Sequence, residues 1–365
     1  MSEWQTFCLK DLGKIFGCST PPTNNPKNYG NKIAWITPKD LSTLQGRYIK
    51  KGNRSISRLG FKSCSCVLLP KHAILFSSRA PIGYVAIAEK RLCTNQGFKS
   101  IIPNKKIYFE FLYYLLKYHK NNFINMGEGT TIKGIYNIAL GLFKVKIPPT
   151  YYEQQKIART LSILDQKIEN NHKINELLHT LAYKIYEYYF KYKPKNAKLE
   201  QIIIENPKSS IMVKNAQKTQ DKYPFFTSGD NILSYPKSII DGRNCFLNTG
   251  GNAGIKFYVG KASYSTDTWC ICANEFSDYL YLLLSSIKNH INQSFFQGTS
   301  LKHLQKNLLK KYPIYMPSAH EIKKFNQIMM PLLTLISINT RTSKKLEQIR
   351  DFLLPLLLKQ QVKPK

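Results

Sequence analysis

Two stretches, about 153–190 and 321–358, keep a helical alternation of apolar and polar positions over their whole length, each behind a proline-bearing junction. In the second, Phe325, Ile328, Leu332, Leu335, then Asn339 and Thr342, then Leu346, Ile349, Leu353 and Leu356 follow one another in alternating steps of three and four. That spacing is the seam of a coiled coil. The same seam in the first stretch, 168 positions earlier, is Ile157, Leu164, Asn171, Ile174, Leu178, Leu181 and Ile185, with Thr160 and Lys167 less apolar. Pro355 predicts a bent or frayed last turn. Elsewhere the apolar runs are short. CVLLP, AILFS and YVAIA, punctuated by Pro and Gly, predict strands. FEFLYYLLKYHKN at about 109–121 predicts a helix, and FKVKIP a strand closed by Pro148 and Pro149.

The chain repeats itself. EGTTIKGI (128–135) matches QGTSLKHL (297–304), IPPTYYEQQKI (147–157) matches YMPSAHEIKKF (315–325), and FLYYLL (111–116) matches YLYLLL (279–284). Pro149 and Glu153 fall on Pro317 and Glu321 at an offset of 168. Upstream, ILFSSRAPIGYVAI (74–87) matches CFLNTGGNAGIKFYV (245–259) at an offset of 171, so a small insertion separates the blocks. Four blocks in one order define an internal duplication. The expected fold class is α/β, with two mixed α/β modules joined and separated by two long helices. Those helices pair as an antiparallel coiled coil about a pseudo-two-fold. The expected divisions are 1–150, a helix over 151–192, 193–318, and a helix over 319–365, with KYKPKNAK (191–198) as the linker.

Asn171 and Asn339 sit almost midway along their helices. In an antiparallel pair they would face one another as a register pin, which costs stability but fixes alignment; alternatively they are exposed. A helix of ~38 residues is ~57 Å long at 1.5 Å per residue. Modules at the ends of such a coil form a caliper, reaching half-sites one to two turns of DNA apart at ~34 Å per turn.

Charge turns this architecture toward a partner. Lys and Arg number 54 against 22 Asp and Glu, a net of +32. Self-repulsion of that size calls for an anionic partner, either nucleic acid or an anionic membrane surface. A base composition rich in A and T would also inflate Lys, Asn, Ile and Tyr. The N-terminus has no signal-like apolar segment and no apolar run approaches a membrane span, so a cytoplasmic protein with no membrane partner is expected. Cys64/Cys66 and Cys270/Cys272 are C-x-C pairs in apolar, β-like runs, which reads as buried free thiols rather than zinc ligands.

Catalytic motifs are not found. No N-P-P-Y-type motif holds a flipped base. TGGNAG (249–254) precedes a strand and reads as a turn rather than a phosphate loop. The seven histidines lack metal-ligand spacing. No catalytic residue, metal or cofactor is assigned. Basic loops remain. IKKGNRSISRLGFK (49–62) carries Lys50, Lys51, Arg54, Arg58 and Lys62 with no acid, as suits a loop following a DNA backbone. Arg79 and Lys133 lie on the strongest repeat blocks, with Lys256 and Lys302 as second-copy counterparts. Lys237 and Arg243 flank another expected loop. Thr130, Thr131, Thr299 and Ser300 either donate to phosphates or cap their turns. Arg suits base edges and Lys suits phosphate, although any one Lys here also reads as a solvated surface charge.

The residues Trp4, Leu12, Gly13 and Ile15, ITPKDL (36–41), APIGYVAI…TNQGF (80–98), and GTTIK followed by IPP-x₃-EQQKIA and a long helix resemble the specificity subunits of type I restriction–modification systems. The resemblance covers nearly the whole chain, twice in order. The second copy departs at SAHEIKKF and at STDT (265–268). The resemblance implies two target recognition domains, each reading one half of a split, asymmetric site on double-stranded DNA. It implies helices that dock two methyltransferase subunits and, through them, restriction subunits. S-adenosylmethionine, ATP and Mg would then be used by those partners. Two other readings compete. One is a bifunctional restriction enzyme, disfavoured because no catalytic segment precedes the first copy. The other is a standalone nucleic-acid-binding adaptor that self-assembles through its coiled coil.

Overall fold

The computed structural model describes residues 3–131, 133–216 and 222–364. It divides into two compact units. One runs to Asn170 and takes in the chain from Lys345 onward; the other spans Asn171–Lys344. The division cuts both long helices, Tyr151–Tyr186 and Ala319–Leu358, so each unit holds one globular part and a segment of each helix.

In the first unit a five-stranded sheet runs in the order Gly13–Gly17, Lys99–Pro103, Ile74–Phe76, Val85–Ala88, Tyr48–Ile49. The helix Phe109–Tyr118 backs it, and it is apolar nearly all round because it is enclosed. Phe111, Leu112, Tyr114, Leu115 and Leu116 share a core with Ile74, Phe76, Ile87 and Ile101. Gln5–Cys8 pairs antiparallel with Lys144–Ile147 and clasps entry to exit, so the long helix leaves from a fixed point. The predicted helix ends sooner than expected, and Lys120–Asn125 follows as a separate turn. CVLLP forms no strand, only a bridge from Leu69 to Leu92.

The second unit repeats the plan. Its sheet runs Ile204–Glu205, Thr268–Cys272, Arg243–Asn248, Ile255–Val259, and Ala197–Lys198 clasps Pro313–Ile314. The backing helix Ser277–Ser286 starts and ends 168 positions after its counterpart. The extra residues of the first copy fall in two places: nine positions separate Phe76 from Val85 but eight separate Leu247 from Ile255, and eight separate Ile101 from Phe109 but six separate Ile271 from Ser277. TGGNAG is the turn joining two antiparallel strands.

Each long helix starts with a capping box. The Thr150 Oγ1 accepts from Glu153 N at 3.2 Å and donates to Glu153 Oε2 at 3.1 Å. Ser318 N donates to Glu321 Oε2 at 2.9 Å. Glu153 and Glu321, conspicuous in the repeat, therefore start helices.

Within each unit the helix segments pack antiparallel. In the first, Asp165 meets Arg350 while Ile157 and Leu357 line one recess. In the second, Asn171 meets Ser343 while Phe190 meets Phe325. The expected Asn171–Asn339 pair is not formed. Asn339 Nδ2 donates to Asn175 Oδ1 at 2.9 Å, and Asn171 Nδ2 donates to Ser343 Oγ at 3.2 Å. Because 171 and 339, like 175 and 343, are repeat-equivalent, this is one contact made twice; the two pairings centre the pseudo-axis on 173 and 341, two residues beyond the asparagines, so each Asn lies one turn past the other.

The seam also differs from expectation. Ile328, Leu335 and Ile349 are 43%, 42% and 39% exposed, while the buried stripe runs through Ile322, Phe325, Met329, Leu333 and Ile336. The reason is that this face packs on the globular part as well as on the other helix, which shifts the buried stripe by about one residue. The helix continues through Pro355 to Leu358, because Leu354, Leu357 and Leu358 are held in the first core.

The units differ at one equivalent place. In the first, Asp165 accepts from Tyr114 Oη and from Arg350 Nη1, both at 2.6 Å. The equivalents 168 positions away are Leu333, Leu282 and Ala182, all in one apolar cluster. Asp165→Leu alone, which leaves a largely buried Arg350 with only the exposed Asp351 as ion-pair partner, should destabilise by about 3 kcal/mol. Tyr114→Leu, Asp165→Leu and Arg350→Ala together, copying the second unit, should recover most of that loss in urea denaturation. The Lys193 amine, then the Ser318 N–H and the Tyr315 hydroxyl, hold the Glu321 carboxyl down at about 2 against an ordinary 4.5. The unfolded chain therefore binds the extra proton, and this contribution should be lost as pH falls from about 4.5 to 2; thermal unfolding of Glu321→Gln across that window should show a shallower decline.

Candidate nucleic-acid interface

The strongest repeat blocks meet in space. In the first unit, Ser78 N donates to Gly97 O at 2.8 Å on one side, and Ile135 N donates to Ser78 O at 3.0 Å on the other. Arg79 bridges Gly134, so Arg79, exposed Thr130 and Thr131, and exposed Lys133 are brought to one edge. In the second unit, Thr249 N donates to Asp267 O at 3.2 Å, Leu304 N to Thr249 O at 2.9 Å, and Gly251 N to Lys302 O at 2.9 Å. Thr299, Ser300 and Lys302 are exposed beside that turn. Gly129 and Gly298 sit at φ 120° and 141°, a region open to glycine, which explains the glycine opening each G-T motif.

The basic segment at 49–62 is more ordered than a loop. It contains the strand Arg54–Ile56 and the helix Arg58–Lys62, capped by Ser57 accepting from Gly60 N at 3.0 Å. Lys50, Lys51, Arg54 and Arg58 are all exposed. Asp40 organises them. Its carboxylate accepts from Thr37 N at 2.7 Å, capping its own helix, and from Asn53 N at 2.8 Å, fixing the turn that presents Arg54. A Cβ on Gly52 would stand 2.8 Å from Asp40 Oδ2 and from Trp35 O, so only glycine allows that approach.

Two expected contacts are corrected. Arg243 is committed within the protein: Nη2 donates to Asp278 Oδ2 at 2.7 Å and Nη1 to Thr334 Oγ1 at 2.9 Å, which leaves its fork no free edge for a base. Lys256 donates to Thr227 O at 2.7 Å and to Asn248 Oδ1 at 3.3 Å, and burial pushes its amine down. Lys237 is exposed. Among the described residues no three His, Cys, Asp or Glu groups stand close enough to hold a metal, and no helix is long and apolar enough to cross a membrane.

A profile of the type I restriction modification DNA specificity domain matches residues 1–180 and again 195–348. The chain belongs to that family. Each specificity domain is thus one copy of the repeat. The MjaIX type I specificity subunit of Methanocaldococcus jannaschii is 31% identical over 98% of this chain and 93% of its own length. The HindI specificity subunit of Haemophilus influenzae is 32% identical over 31% of this chain and 24% of its own. A crystal structure of a type I S subunit from M. genitalium superposes with a TM-score of 0.64 at 17% identity, covering 98% of this chain and 96% of that one, which shows the shared fold. The family is one of DNA specificity, not of methyl transfer or cleavage.

Sequence reasoning missed the residues that seat each specificity domain on its helices. Glu110 accepts from Arg47 Nη1 at 2.9 Å and Tyr48 Oη at 2.6 Å, and Glu169 on the long helix accepts from Arg47 N at 2.8 Å. In the second domain Asp278 stands at the Glu110 position, and Ser337, at the Glu169 position, accepts from Val259 N at 3.0 Å. The available signal was an acid inside the otherwise apolar FEFLYYLL and SDYLYLLL. Arg243→Ala should therefore unfold the protein more readily, by about 3–5 kcal/mol from the stranded, buried Asp278, rather than act as a selective loss of DNA affinity; comparing denaturation with DNA titration checks this.

Proposed function

We propose that the chain reads a split DNA target, one half through each specificity domain, as part of a type I restriction–modification complex. The observation that carries this reading is the pair of repeat-equivalent junctions: each brings hydroxyl and basic side chains to an exposed edge, with different residues in the two copies. Arg79, Thr130, Thr131 and Lys133 on one side, against Thr299, Ser300 and Lys302 on the other, support two unlike half-sites and hence an asymmetric target. Arg54 and Arg58 offer forks to base edges, and Lys50 and Lys51 point charges to phosphate.

The long helices would dock methyltransferase subunits and, through them, restriction subunits. Ile174, Leu177 and Leu181 on the first helix, and Ile328, Leu335 and Ile338 on the second, are more than a third exposed, an apolar supply that supports docking. In this reading S-adenosylmethionine, ATP and Mg belong to those subunits. Methylation-site sequencing of cells carrying the complex should return a motif of two short read segments around an unread spacer. A continuous motif would contradict the division of reading between two domains.

A further inference from the structure

We infer that Arg79 and Lys99 of the first specificity domain form a binding site for backbone phosphodiesters of DNA, a site that the second domain lacks. This rests on the reading of the chain as a DNA-binding subunit and adds to Arg79 a second cation, Lys99, that no motif singled out.

Both residues lie at the junction described above. Arg79 follows Ser78, which pairs with Gly97, and Lys99 opens the strand two residues beyond Gly97. Lys99 pairs with Gly17 across the sheet, and its Nζ lies 3.0 Å from where a Cβ on Gly17 would stand. The side-chain amide of Asn137 borders the same point at 3.9 Å. The amine thus occupies a notch that glycine leaves open, half-buried rather than waving in solvent. Among the described residues neither cation has an ion pair or a side-chain hydrogen bond. Burial first, and the Arg79 charge second, push the Lys99 amine down. Two partly desolvated like charges without a counter-ion destabilise a fold on their own and are relieved by an anion.

The duplication supplies an internal control. Arg79 corresponds to Gly250 at an offset of 171, and the matching bonds Ser78 to Gly97 and Thr249 to Asp267 place Trp269 where the first domain has Lys99. The second domain keeps the same three-strand junction with neither charge at these two positions: Trp269 is buried there, its Nε1 donating to Glu205 Oε2 at 2.8 Å, with the Lys306 amine over its ring. The architecture therefore does not need Arg79 and Lys99. An Arg fork beside a Lys point charge matches a phosphodiester, and exposed Thr130, Thr131 and Lys133 flank it on the next segment. Interactions of this kind set the position of a domain on the duplex rather than read its sequence.

The test is fluorescence-anisotropy titration of the full chain with a mixed-sequence duplex over a range of salt. Arg79→Gln with Lys99→Met should weaken binding at least about tenfold at low salt. It should also flatten the dependence of log K on log salt by roughly 0.9 for each phosphate that the variant no longer neutralises. The single substitutions should each give part of that change, and Arg79→Lys with Lys99→Arg should restore the slope. Lys173→Met, which removes an exposed charge on the long helix, should leave it unchanged. Wild-type binding that depends on salt, with the same slope in the neutralised variants, would overturn the site while leaving the DNA-binding reading intact. Wild-type protein with no salt-dependent binding would overturn that reading itself.

Discussion

A carboxylate buried at the start of the sheet-backing helix is the constraint on which each half of this molecule depends. Glu110 and Asp278 occupy the same position in the two repeats, and each is nine-tenths or more enclosed. Moving such a group out of water costs several kcal/mol unless its oxygens are fully partnered. In the first domain Arg47, Tyr48 and Tyr108 supply the partners; in the second, Arg243 supplies them. Because Arg47 also binds Glu169, and Arg243 also binds Thr334, satisfying the acid fixes the angle of the domain on its long-helix segment. The junction that would face DNA inherits its orientation from this anchoring.

The duplication shows which interactions the architecture requires and which it tolerates. The acid at the helix start persists, although its cation comes from a bend in one copy, Arg47, and from a strand in the other, Arg243. The capping boxes at Thr150 and Ser318 persist, as does the paired Asn contact along the helices. By contrast, the Tyr114–Asp165–Arg350 network becomes Leu282, Leu333 and Ala182. A buried ionic cluster and an apolar one fill equivalent places, as expected when desolvation roughly offsets Coulomb attraction. Arg79 and Lys99 fall in the tolerated class structurally, which is why their retained charge in one copy only points outward to a ligand.

Much of the fold was legible because duplication makes periodicity audible twice. The two helices, the strands AILFS, YVAIA and FKVKIP and the Gly-rich turn follow from local pattern, and the antiparallel helix pairing from the duplication; the clasp of FKVKIP with Gln5–Cys8 does not. The exact seam did not, because heptad counting assumes a helix buried on one side only, whereas Phe325, Met329 and Leu333 also face a globular core. The Asn register was off by one turn because the midpoint estimate misses the pseudo-axis by two residues: it passes through 173 and 341, not 171 and 339. At the candidate interface, exposed Lys50, Lys51, Arg54 and Arg58 were readable from charge without acid, and exposed Lys133 from its repeat block. Arg243 and Lys256 were not separable from them, since the partners that occupy them, Asp278 and Thr227, lie far off in sequence. Lys99, the first residue of a largely apolar strand, carried no such signal.

The composition of the first unit has a bearing on synthesis. The second unit is one unbroken stretch of chain, while the first closes only when the residues from Lys345 onward join it. As the polypeptide leaves the ribosome, the amino-terminal half emerges early with the Leu354, Leu357 and Leu358 side of its core still missing, and with Asp165 lacking Arg350. The carboxy-terminal half, translated later, has its complete set of packing partners first. Translation order and completion order are therefore reversed, and a chain truncated after Lys344 would carry a finished second domain beside an unfinished first.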